Sequence, residues 1–376
     1  MSIHAGTSVT TVNYAQIKTL AENQIDGNAA AFQAQLLPGV SRTFALTIPQ
    51  LPESLRHIVT NAYLLCRIAD TIEDDVGIDT SRKREFHKLF VDVLEGQAPC
   101  CDFVDSVSPL LTQQTLAAER ELIQNADKIV DITLSFDATN VDILRRHITT
   151  MCLGMPTFQH GLKGHGLQNL ETLNRYCYCV AGVVGEMLTE LFCNTSQDIA
   201  EHDRELMELA ASFGQGLQMT NILKDVWDDN RNGTCWLPKD VFSAVGYDLT
   251  LLSPGHDRGT FTHGISQLIG IAHAHLRNAL SYSLLIPRRH AGIRRFCLWS
   301  IGLAVLTLRR IHDNPRFTSG QQVKVSRKTV TATVLVTSAV SRSNVILRSL
   351  FDNIAAGLPL ADALTGPFRA ERTVGR

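Results

Sequence analysis

A chain of 376 residues with 44% hydrophobic and only 6% aromatic side chains can bury one large or two modest cores, and it suits helices better than a β-sandwich. Its formal net charge of −2, with no basic tail or recognisable nucleic-acid module, argues against a nucleic-acid partner. The nine cysteines are odd in number and lack CxxC spacing, which excludes a disulfide framework and points to buried thiols in a reducing, cytoplasmic setting.

Residues 1–34 carry no charged-then-apolar leader, so export is not expected and the first dozen residues are expected to be disordered. Helical periodicity then runs from Pro52 to Asp75, with Tyr63, Arg67, Asp70 and Asp74 at i, i+4, i+7 and i+11 between apolar Leu64, Leu65, Ile68 and Ala69. Asp75 and Asp79 repeat the four-residue spacing but straddle Gly77, which reads as a helix end. Further helical stretches are expected near 113–153 and 170–193. In the second of these, Gly182 and Gly185 each sacrifice about 1 kcal/mol of helix propensity; close approach of a neighbour or ligand explains them, and so does ordinary tight packing.

The stretch 200–230 places Gln218, Asn221, Asp225 and Asp229 on one stripe beside Leu217, Ile222 and Val226. The turn-rich segment from Asp229 to Pro238 reads equally as a cover for that stripe or as a plain helix connection. Beyond it, periodicity recurs over 262–286, 291–312 and 329–356. The apolar run from Phe296 to Leu308 falls short of the ~20 residues that cross a bilayer, so a core helix is expected and no span, with peripheral membrane contact left open. Val323 to Val325 and the β-branched run Thr329 to Val336 are ambiguous, although the length and alanine content of the latter favour a helix. His160, His165, His273 and His275 lack the Cys or carboxylate company of a zinc site. With no linker or repeat, the reading is a single all-α domain over 35–357, with a tail over 358–376 that frays after Gly366.

Two DxxxD pairs set into apolar helices are the chemical signal. Carboxylates one helical turn apart share a face and repel unless a cation lies between them. Mg2+ takes oxygen ligands and keeps water and phosphate oxygens in its shell, so two such faces across a cavity suit diphosphate substrates. The bland alternative is a set of solvated surface acids, with Arg67 and Asp70 forming an i,i+3 ion pair worth about 0.2–0.5 kcal/mol.

An ordered set of segments resembles the squalene/phytoene synthase family. It comprises Ser41-Arg42-Thr43-Phe44, then Arg67 to Asp75, then Tyr176 to Gly185, then Gln218 to Asp225, then Cys235-Trp236-Leu237-Pro238. The resemblance runs from about residue 35 to 345 and implies an isoprenoid-synthase fold, a single helical domain around a central apolar cavity. It also implies Mg2+ held by Asp70, Glu73, Asp74, Asn221, Asp225 and Asp229, with Asp75 and Asp228 set aside as primary ligands. Two farnesyl diphosphates would contact Ser41, Arg42, Phe44, Arg67, Gln218, Asn221 and Phe296, and Tyr176 would handle a proton. From spacing alone Tyr176 is only a packing aromatic.

Phe296-Cys297 and the stretch Val323 to Lys328 resemble the family's squalene branch, whose basic segment is associated with NADPH; the implied contacts are Arg42, Arg67, Lys224, Lys324 and Arg327. The family's lysine, apolar, arginine order is here lysine, valine, serine, arginine, and Lys224 replaces the usual arginine, losing its planar fork. The membrane anchor of the eukaryotic members has no counterpart, which fits a soluble bacterial-type form. The alternatives are the same condensation without reduction, giving presqualene diphosphate, dehydrosqualene or phytoene; a non-catalytic helical assembly protein; and a metal-free lipid-binding module.

Overall fold

The computed structural model describes residues 31–41, 43–158, 165–256 and 258–361; Arg42, His160, the N-terminal segment up to residue 30 and the tail from residue 362 lie outside them. The described residues form the single all-α domain expected. The long helices are α1 (Glu53–Asp74), α2 (Thr80–Leu94), α3 (Ala138–Gly154), α4 (Leu170–Thr195), α5 (Asp203–Arg231), α6 (Arg258–Leu285), α7 (Ala291–Asp313), α8 (Arg327–Val340) and α9 (Asn344–Ala355). Among the described residues there is no strand, only an isolated bridge between Leu167 and Pro238. Both β-branched segments of doubtful type are helical or adjoin helix, Thr329 to Val336 lying inside α8.

The turn after α1 shows why Asp75 and Asp79 are not a third acidic pair. The Asp75 carboxylate accepts the N–H groups of Gly77 (2.7 Å) and Thr112 (2.8 Å) and the hydroxyls of Thr112 and Thr115. Asp79 caps the next helix by accepting the N–H groups of Ser81 (2.9 Å) and Arg82 (3.1 Å), satisfying donors that a helix start leaves open. That next helix, α2, is absent from the periodicity reading. Its buried Phe86, Phe90 and Leu94 recur every four residues, but Arg82, Lys83, Arg84 and Glu85 obscure the stripe at its start.

Helix α5 is the axis of the fold, packed along α6 on one side and against α4 on the other. The α4–α5 crossing is close enough for backbones to touch. A Cβ on Gly185 would lie 2.0 Å from the Ala210 carbonyl oxygen, and one on Gly214 would lie 1.9 Å from that of Ala181. Tight helix packing, and not a ligand, therefore accounts for Gly185. Within α4 the segment Tyr178–Gly182 is a π-helical turn, a local widening that often accompanies functional sites.

One expectation needs revision. Helices α4 and α7, at 26 and 23 residues, are both long and apolar enough to cross a membrane, beyond the shorter Phe296–Leu308 run. Here 50% and 67% of their apolar windows are buried, as in core helices. All nine cysteines are free; five of them (66, 152, 177, 235 and 297) are buried as expected, whereas Cys100, Cys179 and Cys193 are half-buried and Cys101 is exposed.

Candidate active site

Helix α1 presents the first acidic pair. Arg67 pairs with Asp70 (3.9 Å) and with Glu119 (3.6 Å), and donates to the Tyr63 hydroxyl (3.1 Å), which in turn donates to the Val40 carbonyl (3.0 Å). Burial raises the Asp70 carboxyl above the ordinary range against the opposing pull of Arg67. Asp74 is open to water on one side but crowded by protein elsewhere, and burial together with Asp70 pushes it to about 7. Carboxylates held this reluctantly are ready to take up a cation.

Glu73 is placed differently from the pair. It is buried, with its carboxylate 3.4 Å from Nε2 of the buried His87, while its backbone carbonyl accepts the Lys83 ammonium. One residue along a helix is a rotation of ~100°, which turns Glu73 towards α2 and leaves Asp70 and Asp74 facing outward. Glu73 thus braces the end of α1.

The second stripe lies near the end of α5. Lys224 bridges Asp225 (3.1 Å) and the Asn221 amide oxygen (3.3 Å), and Gln218 and Asp229 are partly accessible on the same stripe. Burial, then the charges of Asp225 and Asp228, push Asp229 to about 7; burial also raises Asp225. Lys324 and Arg327 are exposed at the start of α8, with the Lys324 charge acting on Asp225.

The loop leaving α5 joins the two halves. The Thr234 N–H bonds back to the Asp229 carbonyl (2.9 Å), and two residues on, Trp236 stacks on Tyr176 with ring centroids 3.9 Å apart and planes inclined by 12°. Phe158 also meets Tyr176, edge-on, at 5.7 Å. The loop is fixed by the Leu167 N–H to the Leu237 carbonyl and the Lys239 N–H to the Leu167 carbonyl, both 2.9 Å. Tyr176 is buried, and burial followed by the Asp74 charge raises its phenol well above 10, so it stays protonated beside the first acidic pair. The turn-rich segment thus leads from the end of the second acidic helix directly to an aromatic stack on Tyr176.

An aromatic wall adjoins α1. Phe44, whose N–H bonds to Ser41 Oγ (3.0 Å), lies 5.0 Å from Tyr63 and 6.4 Å from Phe296, and Phe296 meets Phe192 edge-on. Ser41, Phe44, Arg67 and Phe296 are thus brought into one neighbourhood. Tyr63 is already on the stripe read from spacing; Trp236 and Glu119 escape such a reading because each meets a partner distant in sequence, and only the Cys235 to Pro238 motif signals Trp236.

The donor set fits a hard divalent ion: oxygen only, clustered like charges, incomplete neutralisation. Among the described residues no three His, Cys, Asp or Glu side chains converge on one point, so an ion here would complete its shell with water or substrate oxygens, as Mg2+ does.

Residues 37–329 match the squalene/phytoene synthase family. The squalene synthase of Cyberlindnera jadinii is 26% identical over 334 residues, covering 85% of this chain and 71% of that protein. The squalene synthase ERG9 of Candida albicans is 28% identical over 306 residues, covering 80% and 66%, so the match spans about two thirds of these relatives' own length. The solved structure of TcSQS with a bound ligand superposes with a TM-score of 0.72 at 20% identity over 89% of this chain and 94% of that one, a likeness of fold.

Proposed function

The chain belongs to the squalene/phytoene synthase family, and from that premise we propose that it condenses two farnesyl diphosphates head to head into presqualene diphosphate and reduces this to squalene with NADPH. The observation that carries the proposal is the Tyr176–Trp236 stack, which links a protonated phenol near Asp70 and Asp74 to the helix bearing Asp225 and Asp229.

Ionisation of the first allylic diphosphate needs its leaving group neutralised. Mg2+ bound through Asp70, Asp74, Asn221, Asp225 and Asp229 would supply that charge as the C–O bond breaks. Arg67 and Lys224 sit beside these carboxylates and offer diphosphate oxygens further donors. In this reading Glu73 pairs with His87 against α2 in place of ligating the ion. The Tyr63, Phe44 and Phe296 wall would shelter the cation from water.

The second farnesyl group attacks that cation, and closing the cyclopropane releases a proton. A phenol held above its usual range is a poor base alone, so Tyr176 would pass the proton to the departed diphosphate. Loss of the remaining diphosphate from presqualene diphosphate would give a second cation that rearranges, and NADPH would then deliver hydride to it, with Lys224, Lys324 and Arg327 as its nearest cationic partners in this proposal; Gln218 would line the substrate site beside Asn221. The hydrocarbon product belongs in a bilayer, and peripheral membrane contact of a cytoplasmic enzyme is part of the same proposal.

The test is product analysis by gas chromatography and mass spectrometry after incubation with farnesyl diphosphate and Mg2+, with and without NADPH. Squalene formed only with NADPH is the expected outcome. Presqualene diphosphate or a dehydro product under both conditions would remove the reductive half, and turnover unaffected by Asp70→Asn combined with Asp225→Asn would remove the mechanism.

A further inference from the structure

Asp228 lies between the two carboxylates of the second pair, and both of its oxygens are occupied by other groups. Oδ1 is ion-paired with Arg231, and Oδ2 accepts the Gly320 N–H at 3.0 Å. Arg231 also donates to the Thr318 carbonyl at 3.1 Å. One carboxylate and one guanidinium thus hold the backbone of the segment 318–320 on two sides.

The segment is pinned at its flanks as well. Phe317 is buried and meets Trp227 of α5 at 6.5 Å, and Val323 is fully buried. Between them the chain lies directly on the acidic helix. A Cβ at Gly320 would come within 2.7 Å of Asp225 Oδ1, 3.0 Å of Asp228 Oδ2 and 3.2 Å of the Lys224 carbonyl oxygen, so glycine lets the segment lie this low without displacing either carboxylate. Immediately after it come the exposed Lys324, Arg327 and Lys328.

We propose that Asp228 is a positioning residue: with Arg231 it clamps the segment 318–323 against α5 and so holds Lys324 beside Asp225 and the diphosphate bound there. An exposed ion pair contributes little by itself. Here the same carboxylate also fixes a backbone N–H, so its removal frees a loop. The inference rests on the diphosphate reading of Asp225 and Asp229 for its catalytic consequence, but the clamp itself is testable without turnover.

The experiment compares wild type with Asp228→Ala, Arg231→Met and Asp228→Glu in the full chain. Trypsin cleavage after Lys324, Arg327 and Lys328 and hydrogen exchange over 318–323 report on the clamp. A Mg2+ titration followed by thermal shift reports on the metal. For Asp228→Ala and Arg231→Met, cleavage at these sites is expected to accelerate about five- to tenfold, with exchange over the rest of α5 unchanged and the Mg2+ midpoint within twofold. Asp228→Glu should restore slow cleavage. In turnover, Asp228→Ala should raise KM for farnesyl diphosphate about fivefold with kcat within twofold. Unchanged cleavage and exchange would overturn the proposal, as would a Mg2+ midpoint raised fivefold with the segment still protected, which would make Asp228 a metal ligand. If no isoprenoid product forms at all, the functional reading fails while cleavage and exchange still decide the clamp.

Discussion

Replacing Asp229 by asparagine should stabilise the metal-free protein at alkaline pH. The side chain's folded value of about 7 against a reference of 3.8 corresponds to about 4 kcal/mol of disfavour for the charged form, and its partial access to water leaves roughly half of that, ~2 kcal/mol. The sign follows from proton binding. Below about pH 4 both folded and unfolded chains hold the proton and the difference is nil. Between about pH 4 and 7 the unfolded chain ionises first, so wild-type stability falls; above 7 the loss is complete. Asp229→Asn removes a charge that burial, Asp225 and Asp228 all oppose, so it should unfold at a higher urea concentration than wild type at pH 8 and at an equal one at pH 4. Adding Mg2+ at pH 8 should raise the wild-type midpoint and leave that of the variant little changed. Urea unfolding followed by circular dichroism, with chelator or with Mg2+, measures all of this. A variant less stable than wild type at pH 8 in chelator, or a difference that does not vary with pH, would refute the electrostatic argument.

Trp236→Leu should reduce condensation at least tenfold through loss of the face of Tyr176, at a stability cost of only ~1 kcal/mol, checked by kinetics alongside thermal melts. Gly214→Ala should destabilise by about 2–3 kcal/mol, because its methyl would meet the Ala181 carbonyl at 1.9 Å; a chemical denaturation midpoint unchanged from wild type would contradict the crossing geometry. Asp75→Ala strips the turn of an acceptor for four donors and should lower stability by ~2 kcal/mol, while the thermal shift given by Mg2+ persists, in contrast to Asp70→Ala.

The acidic stripes were legible because they are local: Asp70 with Asp74, and Asp225 with Asp229, need only the pitch of a helix to share a face. The end of α1 was legible for the same reason, Asp75 and Gly77 making a turn that no helix tolerates. Glu73 marks where resemblance and spacing part. Its position one residue before Asp74 already rotates it off the stripe, and the burial of His87 explains where it goes. Helix α2 was hidden by charge at its start. The stack of Trp236 on Tyr176 and the seat of Gly320 on Asp225 depend on contacts between distant parts of the chain, and neither propensity nor periodicity encodes such contacts. Arg42 lies outside the described residues.

The π turn at Tyr178–Gly182 bears on how such a chain can vary. A π turn accommodates one residue more than an α turn, and its ends here are both tied: Tyr176 to Trp236 before it, Gly185 to the Ala210 carbonyl after it. Deleting a single residue between them would let the turn close as an ordinary α turn with both ties still in register, whereas inserting one residue or deleting two would rotate one tie by ~100° relative to the other, so either the phenol or the small-residue crossing would be lost. The interval from Tyr176 to Gly185 therefore tolerates one length besides its own, and homologous chains that keep both contacts should differ in it by at most that one residue.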